Sequence, residues 1–431
     1  MKKLVYSILF IPVTILLVSC GTAMADKAIK EGLEVDADNA GLHLPKGFGA
    51  LLIADSLGPV RHIAVTSDYS VYAKMMWPGD RGGILFLTDT NKDGKIDKTV
   101  GFSDYGGTEV RLHNGYLYAS SNTDIYRYKL DQNERVIDPE SSEIIVQGLI
   151  DRRQHNSKSF TFDKNNNIYV NIGAYSNACQ ETDRTKGSPG MEPCPILDSA
   201  GGIWQFSATH LNQSFADGKR YATGLRNVVG LDWNSSVNKL FVTMHGRDQL
   251  HSLFPELYDE QASAELPAET LFEIDEGDNC GWPYTYYDEL QEKIVVAPEY
   301  GGDGKKTPEK KYDEPVMAFP GHLAPNDLLF YTGTMFPEKY RNGAFIAFHG
   351  SWNRAPLPQK GFFVVFVPFN DGKPSGDWEI FADAFSGTEV VESPGDAKYR
   401  PTGLAQGPDG SLFVSDDSRG GIFRITYNGK K

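Results

Sequence analysis

Three short segments of this 431-residue chain combine glycine with arginine in a pattern that suits an anionic ligand. Glycine lets the backbone approach a ligand closely, and arginine binds planar carboxylates through two parallel hydrogen bonds. The segments are His349-Gly350-Ser351-Trp352-Asn353-Arg354, Tyr221-Ala222-Thr223-Gly224-Leu225-Arg226-Asn227 and Arg400-Pro401-Thr402-Gly403-Leu404. The first lies between two runs typical of strands, which predicts a connecting loop, where functional residues tend to sit.

Four basic residues occupy similar positions ahead of the polar turn of a recurring unit. They are Arg61 (seven before Asp68), His155 (eight before Asp163), Arg226 (eight before Asn234) and Arg400 (nine before Asp409). If the units are arranged radially, these residues converge, and a polyanion is the simplest partner for arginines buried together. The alternative is that each arginine pairs with a neighbouring acidic residue at the surface.

His155 is the one member of this group that could accept a proton near neutral pH. Nearby arginines would lower its pKa and keep the ring neutral. The sequence therefore predicts His155 as a general base, against the alternative of a structural histidine.

The recurring unit is a short strand, a polar turn and a second short strand. Its copies lie at residues 63–73, 110–119, 160–170, 230–242, 328–347 and 403–414. Long amphipathic helices are nearly absent, and hairpins at irregular intervals of tens of residues favour a propeller over a solenoid. We predict an all-β fold in which residues 41–428 form a single six-bladed β-propeller, with an excursion of loop and short helix at 248–269.

The first 19 residues have the layout of a secretory signal, with Lys2 and Lys3 followed by an apolar run. Leu17-Val18-Ser19-Cys20 resembles the bacterial lipoprotein signal, in which the cysteine is acylated, and residues 20–40 would then be a tether. The alternative is ordinary cleavage after Ala25. We predict an exported protein of the bacterial periplasm or cell surface that touches the membrane only through its N-terminal lipid.

Composition narrows the choice of partners and the state of the cysteines. The formal net charge of −15 disfavours phosphate backbones, so no nucleic-acid partner is expected. Cys179 and Cys194 bracket a loop rich in glycine, proline and polar residues, and we predict a disulfide between them in an oxidising compartment. Cys280 is then expected to be a buried thiol.

Residues 89–97, Asp-Thr-Asn-Lys-Asp-Gly-Lys-Ile-Asp, place oxygen-bearing side chains at alternate positions, as calcium loops do. Val100 stands where a full EF-hand would have its bidentate glutamate. Residues 89–97 are therefore interpreted either as a structural calcium site or as a simple polar turn.

From about Gly41 to Tyr427, the sequence resembles the glucose/sorbosone dehydrogenase family, and most closely its sorbosone and pyranose dehydrogenase branch. The resemblance rests on the three segments above together with His245-Gly246-Arg247-Asp248 and Gly281-Trp282-Pro283. It implies a six-bladed propeller that binds pyrroloquinoline quinone (PQQ) and Ca²⁺ and oxidises a sugar or related polyol.

The resemblance also implies roles for individual residues. His155 would be the base, Arg226 and Asn227 would lie against the quinone carbonyls, and calcium would bind backbone carbonyls at Gly246 and Arg247. The residues implied to hold the three carboxylates of the cofactor are Arg61, Arg354 and Arg400. Additional wall residues of the site would be His322, Trp352 and Lys398.

Two other classes of function compete with the dehydrogenase. A metal-dependent propeller lactonase or hydrolase would need acidic and amide side chains on the axis in place of the arginines. A binding propeller without cofactor would present the same shell at the cell surface. The electron acceptor, a membrane quinone or a cytochrome, and the identity of the sugar are left open by the sequence.

Overall fold

The strands form six antiparallel sheets of four strands, one of which gains a short fifth strand at its edge. The protein is represented by a computed structural model that describes residues 33–429. The strands of the first three sheets, preceded by β1, are β1 (Phe48–Ala54), β2 (Val60–Val65), β3 (Val71–Gly79), β4 (Gly82–Thr88), β5 (Lys98–Phe102), β6 (Val110–His113), β7 (Tyr116–Ser120), β8 (Ile125–Lys129), β9 (Glu143–Gln147), β10 (Phe160–Phe162), β11 (Asn167–Ile172), β12 (Gly202–Ser207), β13 (Gln213–Ser214) and β14 (Lys219–Thr223).

The remaining strands follow in the second half of the chain. They are β15 (Val228–Asn234), β16 (Lys239–Met244), β17 (Glu269–Ile274), β18 (Thr285–Asp288), β19 (Lys293–Val296), β20 (Met317–Phe319), β21 (Pro325–Phe330), β22 (Ala344–Phe348), β23 (Phe363–Val367), β24 (Phe369–Asn370), β25 (Lys373–Pro374), β26 (Glu379–Ala382), β27 (Pro401–Gln406), β28 (Leu412–Asp416) and β29 (Ile422–Tyr427). The α-helices are α1 (Leu250–Leu253) and α2 (Glu260–Glu265). Single 3₁₀ turns lie at Asn39–Gly41, Pro195–Asp198, Phe215–Asp217, Pro298–Tyr300, Glu338–Tyr340 and Pro394–Asp396.

The six sheets are the blades of a β-propeller, which confirms the predicted fold. We number them by their strands: blade 1 is β2–β5, blade 2 is β6–β9 with β13 at its edge, blade 3 is β10–β12 and β14, blade 4 is β15–β17 and β20, blade 5 is β21–β23 and β26, and blade 6 is β27–β29 and β1. The first strand of each blade is innermost, and β6, β2, β27, β21, β15 and β10 follow one another around the axis. All six predicted hairpins coincide with the two inner strands of a blade.

The ring is closed by the N-terminal strand. β1 pairs antiparallel with β29, with Phe48 opposite Tyr427, so the outermost strand of blade 6 comes from the other end of the described chain. Residues before position 41 also contact blade 6, because the Asp36 backbone N–H donates to the carbonyl of Ala50 in β1 at 2.9 Å. The predicted signal peptide and Cys20 lie outside the described residues.

Apolar side chains fill the spaces between blades. Between blades 5 and 6, Phe336, Phe345 and Phe381 are buried and pack edge to face with Phe48 from β1 or with one another. Alternation along the strands produces this core, since every second residue of a strand points to the same face of the sheet. Blades 2 and 3 and blades 4 and 5 are joined by similar clusters.

A network of buried charged residues lies where the inner strands meet. Glu109 accepts from His62 Nδ1 at 3.0 Å and forms an ion pair with Arg111, whose Nε lies 3.3 Å away, and Arg111 Nη1 donates to Asp232 at 3.2 Å. The other nitrogen of His62 donates to the Asn326 carbonyl at 2.8 Å, so both ring nitrogens face acceptors and the ring is an imidazolium. Burial alone would lower the pKa of His62, but the neighbouring carboxylates raise it above its ordinary value.

The cysteines and the excursion in blade 4 follow the sequence prediction. Cys179 and Cys194 form a disulfide, with their Cα atoms 6.2 Å apart, and Cys280 is a buried free thiol. The excursion carries α1 and α2, and the Asp259 side chain caps α2 by accepting from the Ala262 backbone N–H.

The loop at 89–97 joins β4 to β5 as a tight polar turn. The two carboxylate oxygens of Asp89 accept from the backbone N–H groups of Lys92 and Gly94, each at 2.7 Å. Within residues 33–429, no group of three or more His, Cys, Asp or Glu side chains could hold a metal ion, in this loop or elsewhere. In the same range, no helix is long and apolar enough to cross a membrane.

The network of buried charged residues where the inner strands meet predicts how a substitution changes stability. Replacing Arg111 by methionine would leave Glu109 and Asp232 without one buried cation, and we expect a loss of about 3–5 kcal/mol in the free energy of unfolding. As a control, Lys339→Met removes an ion pair with Glu379 whose partners are 58% and 37% exposed, and should cost at most about 1 kcal/mol. Urea unfolding of both variants measures the difference, and equal costs would contradict a central role for Arg111.

Candidate functional site

The candidate site lies at one end of the central channel, where the inner two strands of each blade begin and end. Because these strands are antiparallel, the start of the first lies beside the end of the second, as Val228 beside Met244 and Pro401 beside Asp416. The residues near strand starts are Arg61, His155, Arg226, Asn227 and Arg400. Those after second strands are His245, Gly246, Arg247, Asp248, His349, Asn353, Arg354 and Asp417.

Arg226 is held in place by a dense set of hydrogen bonds. Its guanidinium donates to the carbonyl of Asn177 at 3.1 Å, to the carbonyl of Gly246 at 2.9 Å and to the carboxylate of Asp248 at 2.9 Å. The side chain is buried, and Arg184 also binds Asp248 at 2.8 Å. Although burial raises the pKa of Asp248, the Arg226 guanidinium lowers it well below its ordinary value. Asp183 also pairs with Arg184, at 3.9 Å, so two arginines and two carboxylates lie at this corner.

His155 faces this corner with one nitrogen occupied and the other open to proton transfer. Its Nδ1 donates to the carbonyl of Ala174, which leaves Nε2 as the basic nitrogen. Burial lowers its pKa to about 3, and the charge of Arg226 contributes to the shift, so the ring is neutral at pH 7. The backbone at His155 is left-handed, with φ 50°, and a Cβ on the neighbouring Gly173 would lie 2.5 Å from the His155 carbonyl oxygen. Glycine is therefore required at position 173.

Arg61 and Arg400 come together around Asp417 and His349. Arg61 Nη1 donates to Asp417 at 2.7 Å, and the other Asp417 oxygen lies 2.7 Å from His349 Nε2. Arg400 Nη2 lies 3.0 Å from His349 Nδ1, so Nδ1 accepts and Nε2 carries the ring proton that Asp417 accepts. Of the two arginines, Arg61 alone binds the Asp417 carboxylate, while the Arg400 guanidinium donates to His349 Nδ1 and to the Gly350 carbonyl.

Arg354 makes a separate set of contacts. It is buried, its Nη2 donates to Glu265 at 2.7 Å, and Nη1 donates to the carbonyl oxygens of Ala264 and Gly321. Glu265 is the last residue of α2, so the excursion in blade 4 supplies the partner of this arginine. Three of the predicted arginines, Arg61, Arg226 and Arg354, therefore each have a carboxylate partner, as in the alternative weighed from the sequence, but these arginines are buried and not at the surface.

Gly246 and Arg247 follow β16, as the sequence prediction of a calcium site requires. The Gly246 carbonyl accepts from Arg226, and the Arg247 guanidinium forms a buried ion pair with Glu299 at 2.5 Å. Any calcium at this position would depend on backbone carbonyl oxygens, because Arg226 and Arg184 already occupy the nearby Asp248. Calcium binding at Gly246 and Arg247 stays a prediction.

The additional wall residues differ in exposure. His322 is buried and its Nε2 donates to the Ser263 carbonyl at 2.9 Å. Trp352 is 60% exposed, and its neighbour Asn353 donates to Asp248 at 2.8 Å. Lys398 is exposed on the chain that leads into blade 6.

Several residues of the site were missed or left without a role by the sequence analysis. Asn177 accepts from Arg226 through both its carbonyl and its side-chain oxygen, and nothing in its surroundings in the sequence signals this. Asp248 closes the motif that begins at His245, and Asp417 follows directly on β28. Both lie within four residues of the end of a second strand, in blades 4 and 6, and this is a signal that could have found them.

Two known proteins are similar to this chain in sequence. An uncharacterized protein of Borreliella burgdorferi is 25% identical over 279 residues, which cover 64% of this chain and 61% of that protein. A PQQ-dependent sugar dehydrogenase of Hypocrea jecorina is 23% identical over 415 residues, which cover 91% of this chain and 87% of that enzyme.

Solved structures share the fold. The calcium structure of a Trichoderma reesei carbohydrate-active enzyme of family AA12 is 19% identical and superposes with a TM-score of 0.70, covering 92% of this chain and 99% of that one. The holo form of the PQQ domain of a Coprinopsis cinerea pyranose dehydrogenase, also 19% identical, has a TM-score of 0.66 and covers 89% of this chain and 97% of that domain.

The six-bladed ring and the sequence relatives place the chain in the class of propellers that resemble PQQ-dependent sugar dehydrogenases. Within this class, the chain belongs to the TrAA12-like family, whose profile matches residues 42–428.

The low pKa values at the site predict a pH dependence of stability. Burial lowers the pKa of His155 to about 3 and that of His245 to about 4, from 6.5 in each case. As the pH falls from 6.5 towards these values, the unfolded chain binds protons that the folded protein excludes, so the free energy of unfolding decreases. We expect His155→Gln to flatten this decrease, and the same change at the exposed His210 to leave it unchanged. Urea midpoints measured between pH 4 and 6.5 check this, and parallel curves for the wild type and His155→Gln would contradict it.

Proposed function

We propose that this protein is a PQQ-dependent oxidoreductase that oxidises a sugar or a related polyol or hemiacetal. The observation that carries the proposal is His155, a neutral ring with its Nδ1 bound to a carbonyl and its Nε2 available, beside the fixed charge of Arg226. A general base of this kind accepts the hydroxyl proton of an alcohol that is being oxidised.

The residues present fit the cofactor. PQQ is a planar quinone with three carboxylates, and guanidinium groups such as those of Arg61, Arg226 and Arg400 can donate paired hydrogen bonds to carboxylates. Asn353 Oδ1 is buried without a hydrogen-bond partner among residues 33–429, so the site also has an acceptor for an N–H or O–H group. Arg226 and Asn227 would face the quinone carbonyls, and Arg61, Arg354 and Arg400 are the proposed carboxylate partners.

The chain's own residues would manage the proton and the charge. His155 Nε2 takes the proton of the substrate hydroxyl, while the hydrogen bond from Nδ1 to Ala174 keeps the ring oriented. Arg226, fixed by Asp248, stabilises negative charge that develops beside it without having to move. Bound PQQ would supply the two-electron acceptor for the hydride of the carbon that bears this hydroxyl. The product is a lactone when the substrate is a cyclic hemiacetal, and a carbonyl compound otherwise.

Calcium is proposed as a second component. The backbone carbonyls of Gly246 and Arg247 would bind it, and the Gly246 oxygen, which already accepts from Arg226, would be shared between the two cations. Calcium near the ligand would add to the stabilisation that Arg226 provides.

Export and membrane attachment complete the proposal. The signal at residues 1–19 and acylation at Cys20 would place the propeller outside the cytoplasm, on a lipid anchor. A membrane quinone or a cytochrome at that surface is the proposed acceptor of the electrons.

Calorimetric titration with PQQ tests the function directly. The purified propeller is expected to bind PQQ with micromolar or tighter affinity, and calcium is expected to tighten binding. His155→Ala should still bind PQQ but lose about 10²- to 10⁴-fold in kcat with an artificial electron acceptor and a panel of sugars. The exposed His210→Ala is the control and should match the wild type. Absence of PQQ binding by the wild-type protein would overturn the proposed function.

The lipid anchor has its own test. In cells expressing the full chain, Cys20→Ala is expected to abolish incorporation of radiolabelled palmitate and to release the protein from the membrane fraction. A matched Cys280→Ala variant should stay labelled and membrane-bound. Labelling that persists in Cys20→Ala would show that the anchor lies elsewhere.

A further inference from the structure

A loop of blade 5 holds a large aromatic side chain out into solvent beside the candidate site. Trp352 is 60% exposed. The loop is fixed at its base, where a Cβ added to Gly361 would lie 2.7 Å from the Gly350 backbone. It is also fixed at its tip, because Ser351 Oγ donates to the His322 carbonyl at 3.0 Å. The indole is therefore presented on a rigid support.

Trp352 is connected to the site through its neighbour. Asn353 Nδ2 donates to Asp248 at 2.8 Å, and Asp248 binds Arg226 at 2.9 Å. Asp248 thus links Asn353, the residue next to Trp352, to the guanidinium of Arg226 through two hydrogen bonds. A ligand over the indole would lie close to one bound at Arg226.

An open groove of about 580 Å³ begins where the same loop ends. It is lined by residues within 359–363 and 383–391 and by Gly41 and His43. Phe362 joins the groove to the site, because its ring lies 5.9 Å from the guanidinium carbon of Arg400. A volume of this size is within the range of small-molecule sites, about 300–1,000 Å³.

The chemistry of the groove suits a neutral molecule with many hydroxyl groups. Its lining has acidic, basic, amide and hydroxyl side chains, among them Lys360, Asp383, Thr388 and Glu389. Opposite charges are present together, so the groove favours neither a polyanion nor a polycation. Glu389 and Thr388 are exposed, which leaves them accessible to hydroxyl groups of a ligand.

We propose that this protein binds an oligosaccharide, with the reacting ring at His155, a further ring stacked on Trp352 and the remaining units in the groove. The proposal rests on the proposed function and adds the substrate class to it. The C–H face of a pyranose ring is apolar and packs on an indole, while the hydroxyl groups at its edge meet the polar walls of the groove. A monosaccharide would reach neither the indole nor the groove.

Calorimetry with oligosaccharides of increasing length tests the proposal. The probes are glucose, xylose and mannose oligomers with β-1,4 links, from one to five units, and each is titrated into the PQQ-free protein. In at least one series, affinity should rise about tenfold or more from one unit to three. Trp352→Ala should remove about tenfold of that gain, and the single sugar should lose much less affinity than the longer oligomers.

Three further variants distinguish effects at the groove and the indole from general effects on the protein. Trp77 on β3 is 59% exposed, nearly the same as Trp352, so Trp77→Ala is the matched control and should behave as the wild type. Thr388→Trp narrows the groove and should weaken binding of four- and five-unit oligomers most, whereas Thr209→Trp at an exposed position of blade 3 should not. Affinity independent of length in every series, or equal losses in Trp352→Ala and Trp77→Ala, would overturn the proposal.

Oligosaccharide binding is measured without cofactor, so failure of the oligosaccharide site can be distinguished from failure of the dehydrogenase function. Length-dependent binding that needs Trp352, combined with absence of PQQ binding, would support the oligosaccharide site and overturn the dehydrogenase. Turnover of single sugars that is dependent on PQQ, with no gain in affinity or kcat/KM from added units, would support the dehydrogenase and overturn the oligosaccharide site.

Discussion

The buried carboxylate of Glu109 and the charges around it join the blades at the axis of the propeller. Glu109 precedes blade 2, its partner His62 lies in blade 1, and the Phe160 backbone N–H of blade 3 donates to it at 3.4 Å. Arg111 extends the network to Asp232 in blade 4. His62 reaches blade 5 through the Asn326 carbonyl, and Asp327 of that blade accepts from the Leu404 backbone of blade 6 at 2.7 Å. All six inner strands are therefore placed relative to one another by directional contacts that apolar packing cannot supply.

The placement of the inner strands decides where the functional groups lie. Each group at the channel mouth is within a few residues of an inner strand, so a shift of one blade would separate Arg61 from Asp417 or Arg226 from Asp248. Charges buried at this depth tolerate little displacement, because a guanidinium without its partner is costly in a medium of low polarity. Stability and site geometry thus depend on the same set of contacts.

Carboxylates at the mouth hold most of the arginines in place. Asp248 binds both Arg226 and Arg184, and Asp417 binds Arg61, while Arg400 donates to His349 and to the Gly350 carbonyl. This pairing lets the site remain folded in the absence of an anion. It also disfavours a propeller hydrolase, which needs carboxylates free to bind a metal or activate water, since Asp248 and Asp417 are engaged by cations. A binding propeller without redox chemistry would have little use for a neutral His155 beside Arg226.

The sequence by itself determined the blades and the side of the ring that carries the site. Six hairpins with period-two alternation and polar turns are local patterns, and counting back from their turns located Arg61, His155, Arg226 and Arg400 at strand starts. Tertiary structure decided the partners: Asp417 is 356 residues from Arg61, and Glu265 is 89 residues from Arg354. It also decided that the last blade borrows β1 and that Arg354 turns towards α2. Such choices depend on which blades become neighbours when the ring closes, and no local pattern of residues carries that information.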